Sequence, residues 1–287
     1  MSDCKTYWLH ALTPVHAGVG LGSGFIDLPI MREKITNWPL IPGSSVKGVL
    51  RDKHEIAQSP ELELAFGKGG DENANAGAIV FTDARMVCLA TRSYYGTFAY
   101  VTSPLVLSRL ARDAKAAAVA SLAGLPAIDL IGNAVVPADD SVIRCNGQAC
   151  LGELNLTCAV SNEAARWATA IAESVFPDES WRTIFTKRFV IVPDPTFDFL
   201  CETGCEVNAR IEIDRNTKTV KKGHFWYEES LPAESILSGL VWCDRLYQKD
   251  SKMTSAKLLN SVCNEEQILQ IGGKATVGKG RMRCLYA

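Results

Sequence analysis

The sequence predicts an α+β protein, and three observations carry that reading. Segments that alternate polar and apolar residues, as half-buried strands do, recur along the chain. Segments with apolar residues three and four apart separate them, as in amphipathic helices. The outermost of these elements fall in the order strand, helix, strand, strand, helix, strand.

Residues 5–13 alternate and read as a first strand. Gly18, Gly20, Gly22 and Gly24 then mark a loop, and 26–30 is a short apolar strand. Pro42 and Gly43 make a tight entry turn into a helix over 44–56, with Ser44 or Ser45 as its cap. Val46, Val49 and Leu50 share one face of it; Ser44, Lys47 and Arg51 share the other. Residues 66–77 are a loop, 78–90 a strand, 104–122 a helix and 149–160 a strand. Asn162 caps a helix over 162–175, and 193–203 is a shorter one. Residues 207–213 and 218–227 alternate around Asp214-Arg215-Asn216-Thr217, which predicts a hairpin with a basic tip. A strand over 235–243, a helix over 254–263 and a strand over 282–286 complete the chain.

The outer six elements fit a ferredoxin-like, β-α-β-β-α-β arrangement. The expectation is a single domain with a core over about 1–94 and 233–287. The region of about 95–232 is then a large insertion that includes the hairpin at 207–227. The order of strands in the sheet does not follow from the sequence.

At 287 residues, 47% of them hydrophobic, the chain can bury a substantial core. No apolar run approaches the length of a membrane span. The first ten residues carry no apolar signal core, so a cytoplasmic location is expected. The ten cysteines are scattered. Their closest pairs, Cys145 with Cys150 and Cys201 with Cys205, lack the spacing of a zinc site, so small buried hydrophobes are expected instead.

A net charge of −2 argues against a nucleic-acid partner until its distribution is read. Residues 32–53 carry five basic and two acidic side chains, residues 207–224 the same, and 271–287 four basic and none acidic. Segregation into three basic segments suits a partner with a phosphate backbone, although any one segment alone is ordinary solvated surface. A helix start with free N–H groups, hydroxyls and cations on one face suits an anion such as phosphate.

Gly273 and Gly278-Lys279 nearly spell a nucleotide-binding loop, but Gly280 stands where a Ser or Thr would hold magnesium, and a strand rather than a helix follows. Nucleotide binding is therefore not expected. The glycines permit close backbone approach, and Lys274, Lys279, Arg281 and Arg283 supply charge.

The run Leu28-Pro29-Ile30-Met31-Arg32-Glu33 and the run Pro42-Gly43-Ser44-Ser45-Val46-Lys47-Gly48 resemble a known family. So do Thr13 to Gly18, Phe81 to Arg85, Val101 to Leu105, Gly223 to Pro232 and Gly272 to Gly280, so the likeness covers nearly the whole chain. It is similar to the fourth subunit of the Cmr complex, the repeated backbone protein of type III-B CRISPR effectors, within the RAMP superfamily. Asn37-Trp38-Pro39 departs from the family's usual Gly-aromatic-Pro.

The resemblance implies an RRM-like core and an endoribonuclease that works inside a ribonucleoprotein. It implies copies stacked head to tail along guide CRISPR RNA, cutting complementary target RNA at regular intervals beside the other Cmr subunits, with no membrane partner. Guide contacts are expected from Arg32, Ser44, Ser45, Lys47 and Arg51, and from the loop with Gly272, Gly273, Lys274, Gly278, Lys279 and Arg281. The hairpin, with Arg215, Lys218, Lys221 and Lys222, resembles a thumb that intrudes between bases. Asp27 is implied as the residue required for cleavage, as a proton acceptor or as a ligand for a divalent cation, Mg or Mn. By its residues it lies beside glycines that would let RNA approach closely, although an acid on an exposed strand edge is the bland reading. His16, Glu228 and Glu229 are further catalytic candidates; His16 also suits orienting a loop, and a glutamate suits pairing with the basic hairpin. Two other readings remain: a scaffold that binds RNA without cutting, and a standalone endoribonuclease that processes the guide precursor.

Overall fold

The computed structural model describes residues 4–20, 22, 24–69, 74–130, 133–246 and 253–287. Strands Arg281–Tyr286, Cys4–Ala11, Ile236–Cys243 and Ala84–Arg92 lie side by side in that order, and each neighbouring pair is antiparallel. Gln267–Gln270 adds one edge. On the other side the sheet continues through Phe98–Thr102, Phe189–Ile191, Ala134–Val136 and Leu154–Val160 to Gln148–Leu151 and Arg144–Cys145. Two of these pairings are parallel, so the fold is α+β with a mixed sheet.

Both faces of the sheet are covered. Along Cys4–Ala11, Tyr7, Leu9 and Ala11 pack with Val46 and Leu50 of helix Gly43–Ile56 and with Leu258 and Val262 of helix Ser255–Val262. Trp8 points the other way, among Leu107 and Leu110 of helix Pro104–Ala116 and Trp167 and Ile171 of helix Asn162–Val175. Tyr7, Trp8 and Leu9 are therefore all buried, because a sheet covered on both faces needs apolar residues at every position. Among the described residues no helix is long and apolar enough to cross a membrane.

Several boundaries differ from the sequence reading. The predicted strand 78–90 is two strands, Ile79–Phe81 and Ala84–Arg92, interrupted at Thr82 and Asp83; both pair with Ile236–Cys243. The predicted strand 149–160 is a hairpin that turns at Gly152. The helix over 104–122 stops at Ala116, and a short turn, Ala120–Ala123, follows. Residues 26–30 form only isolated bridges, Leu28 with Glu228 and Ile30 with Gly18. The predicted loop 66–77 contains a small ribbon of Gly67–Lys68 with Asn75–Ala76.

Two caps also differ. Ser161, not Asn162, caps helix Asn162–Val175 by accepting from Ala164 N–H. Neither Ser44 nor Ser45 caps helix Gly43–Ile56; Asp83 Oδ1 accepts from Gly43 N–H at 2.9 Å, from across the strand break. Only glycine fits at 43, where a Cβ would lie 2.4 Å from Phe81 O and 2.5 Å from Thr82 O. Asp83→Ala is expected to cost about 1 kcal/mol in urea unfolding and Asp83→Asn much less, since Asn keeps the acceptor. Equal midpoints for Ala and wild type would remove the cap from the account.

Glu206–Ile213 and Val220–Ser230 form a separate two-stranded ribbon. Asp214 shapes its tip by accepting from the backbone N–H groups of Asn216 and Thr217.

Candidate functional site

The foot of this ribbon gathers the candidate residues. Asp27 is exposed, and its Oδ2 accepts from Tyr227 N–H at 2.8 Å. Leu28 N–H donates to Tyr227 O, and Glu229 N–H donates to Leu28 O. The segment holding Asp27 is thus stitched to the ribbon by backbone bonds rather than built as a strand of its own. Asp27 Oδ1 has no hydrogen-bond partner among the described residues. Phe25, close by in sequence, is fully exposed.

His16 meets the same stretch of the ribbon from inside. Its Nδ1 lies 2.7 Å from Glu229 O. A carbonyl oxygen can only accept, so Nδ1 is the donor in this bond and Nε2 is the ring nitrogen left over. A Cβ on Gly18 would sit 2.7 Å from Nε2, so the glycine keeps that nitrogen clear. His16 O accepts from Gly273 N–H, and a Cβ on Gly272 would lie 2.4 Å from the same oxygen. The glycine loop is therefore pressed against the backbone of His16. Within it Gly272, Lys274, Gly278 and Gly280 all have positive φ, around a single turn, Ala275–Val277.

The two adjacent glutamates face opposite ways and both are buried. Glu229 Oε1 pairs with Arg32 Nη2, and its Oε2 accepts from Ile30 N–H at 3.0 Å. Arg32 also donates to Asn37 O and Cys201 O, so its guanidinium is spent inside the protein. Glu228 receives Lys274 Nζ at 2.6 Å, Arg210 Nε at 3.1 Å and Trp226 Nε1 at 3.3 Å. Burial by itself would raise this carboxyl; the hydrogen bonds from Lys274, Trp226 and Arg210 outweigh it and draw it down to about 2. Lys279 is buried too, donating to Ser230 Oγ at 2.6 Å.

The remaining basic candidates divide by exposure. On helix Gly43–Ile56, Ser44 and Arg51 are exposed, while Ser45 and Lys47 are partly buried. Lys47 Nζ donates to Ile79 O at 2.8 Å, and burial, with neighbouring Arg51, lowers its pKa. The first N–H of the helix is already taken by Asp83. At the ribbon tip Arg215, Lys218 and Lys222 are exposed, whereas Lys221 pairs with Glu212, which also holds His224 Nδ1 at 2.6 Å. Arg281 is exposed beyond the glycine loop, and Arg283 pairs with Glu266.

Val207, Ile211, Ile213, Val220, Phe225 and Tyr227 of the ribbon are 39–53% exposed. Phe225 and Tyr227 meet edge to face, with ring centroids 5.1 Å apart. An apolar face of this size, open to solvent beside cations, suits flat unsaturated partners such as bases. Arg210, Trp226 and Asp83 were not singled out from the sequence. The first two emerge only from the register that sets Arg210 opposite Trp226, and Asp83 only from a contact across 40 residues.

Among the described residues no three His, Cys, Asp or Glu side chains gather where they could hold a metal ion. Asp27 offers one unengaged oxygen, and Glu228 and Glu229 are committed elsewhere. Among the described residues there is therefore no protein-built site for the divalent cation expected from the sequence.

Residues 8–283 match the model of the RAMP superfamily. The chain is 35% identical over 280 residues to a CRISPR system Cmr endoribonuclease, Cmr4, of Pyrococcus furiosus, covering 95% of this chain and 92% of the relative. It superposes on a crystal structure of oligomeric Cmr4 from the same organism with a TM-score of 0.73 and 26% identity, over 100% of this chain and 98% of the other. A chain of the type III-B Cmr-beta complex bound to cognate target RNA shares the fold, with a TM-score of 0.73 at 20% identity, over 99% and 96% of the two chains. The chain belongs to the RAMP superfamily and, within it, to the Cmr4 family.

Proposed function

We propose that this chain is the repeated backbone subunit of a type III-B effector. It lies along guide RNA in copies and cleaves complementary target RNA. The observation that carries the cleavage reading is an exposed carboxylate, Asp27, fixed to Tyr227 N–H at the root of a ribbon with an open apolar face. A ribbon that parts the bases would leave one sugar-phosphate link strained beside its own foot. There the 2′-hydroxyl gives its proton to the free Asp27 oxygen and the 2′-oxygen attacks the adjacent phosphorus. The bond to the 5′-oxygen breaks, and that oxygen takes a proton from water. The products are a 2′,3′-cyclic phosphate and a 5′-hydroxyl. His16, held to Glu229 O at the ribbon foot, is a further candidate for moving a proton there.

In this reading the four central strands and their two helices are a ferredoxin-like RAMP core, over about 1–94 and 233–287. The region of about 95–232 is the insertion, and the ribbon is its thumb. Exposed Arg51, Arg281 and the tip cations face RNA phosphates. A Mg or Mn ion at the scissile link would take its ligands chiefly from RNA and water. Nothing in the ribbon reads sequence, so its spacing rather than base identity sets where cuts fall.

The test is an assembled complex with guide and labelled complementary RNA. Deleting 214–217 should leave guide binding intact and blur the regular ladder of products. A ladder that stays sharp would end the thumb assignment; binding without any cutting by the wild type would favour a scaffold.

A further inference from the structure

The sequence counts Lys274 and Lys279 among cations available to RNA, yet both lie against one carboxylate. Glu228 is 2% exposed, and three elements converge on it. Lys274 arrives from the glycine loop, Arg210 from the facing strand and Trp226 from its own strand. Lys279 Nζ lies 3.9 Å away while bonded to Ser230, also on this strand. The Lys274 ammonium further sits 5.9 Å from the Trp226 ring centroid. Both oxygens of Glu228 accept hydrogen bonds from inside the protein, and at 2% exposure the carboxylate is shut away from a substrate. Removing this anion would leave Lys274 and Arg210 without the carboxylate they share, with Glu206 still acting on Lys279, a costly state unless an outside anion replaces it.

We propose that Glu228 is a positioning residue and internal counter-anion, locking the glycine loop to the ribbon foot and withholding Lys274 from RNA. The proposal rests on the RNA-binding reading above. It makes Glu228 a determinant of loop register and of RNA affinity, in place of the catalytic role expected from the sequence.

The test is the salt dependence of binding between the full chain and a single-stranded RNA of guide length. Each phosphate contact contributes about 0.7 to the log–log slope for single strands. Glu228→Gln keeps the shape but removes the charge, so Lys274 is released. The slope should steepen by about 0.7, and Lys274→Met on top should return it to the wild-type value. A slope in Glu228→Gln that is unchanged or shallower overturns the proposal. Where Glu228→Gln does not fold, Lys274→Met alone decides: an unchanged slope supports it, and a slope shallower by about 0.7 overturns it. Wild-type chain that binds no RNA would instead overturn the RNA reading itself, and the proposal with it.

Discussion

Replacing Asp27 by Asn is expected to slow single-turnover cleavage of complementary RNA by about 100- to 10,000-fold, the range for loss of a positioned proton acceptor. The substitution is chosen for what it preserves. An Asn oxygen can still accept from Tyr227 N–H, so the loop stays pinned to the ribbon. Guide binding, assembly and urea midpoint should be unchanged, because the lost charge faces solvent. The measurement compares wild type and variant in the reconstituted complex, with and without magnesium or manganese. Rates within about threefold of wild type would remove Asp27 from the chemistry and pass the role to His16, or leave a scaffold. A dead variant together with a wild type indifferent to chelator would keep Asp27 and dispense with the cation.

The second large effect is on stability. Arg32→Met should cost about 3–5 kcal/mol, since it strands the buried Glu229 carboxylate without a counter-charge. Adding Glu229→Gln should recover most of that loss. Gln keeps an acceptor for Ile30 N–H, and no charge is left buried. Urea unfolding of both variants measures it. A single variant within about 1 kcal/mol of wild type would show that the pair is not the tie described here. Because Arg32 and Glu229 join the 27–32 segment to the ribbon, the single variant should also lose cleavage before it loses fold.

What the sequence conveyed depended on the range of the interactions. The helix over 43–56 was legible because Val46 and Leu50 repeat every fourth residue, and the hairpin because its strands alternate around a compact polar turn. Both patterns are local. Strands Phe98–Thr102, Ala134–Val136 and Phe189–Ile191 passed unseen, since short strands covered on both faces carry no alternation. The break at Thr82 and Asp83 showed in the sequence only as a polar pair, which does not by itself separate two strands from one. At the site, Asp27 was reached from its neighbouring glycines and the resemblance together and His16 as a lesser candidate, and their tethers to 227 and 229 by the structure alone. Charge counting could not show how Arg32 and Lys279 are held. Their partners lie 197 and 49 residues away, so two cations that look free in the sequence are already spent.

The ribbon also acts as a lever. Its longer strand has 11 residues, Val220–Ser230, which at about 3.3 Å per residue is an arm of roughly 35 Å. A tilt of about 5° at its root moves its end by about 3 Å, on the order of the step between successive stacked nucleotides of one strand. If the ribbon is the thumb proposed above, an arm that enters one gap and not its neighbour tolerates only a few degrees of error. That angular tolerance is a reason for so many buried ionic ties, on both sides of one strand, to be spent where the arm begins.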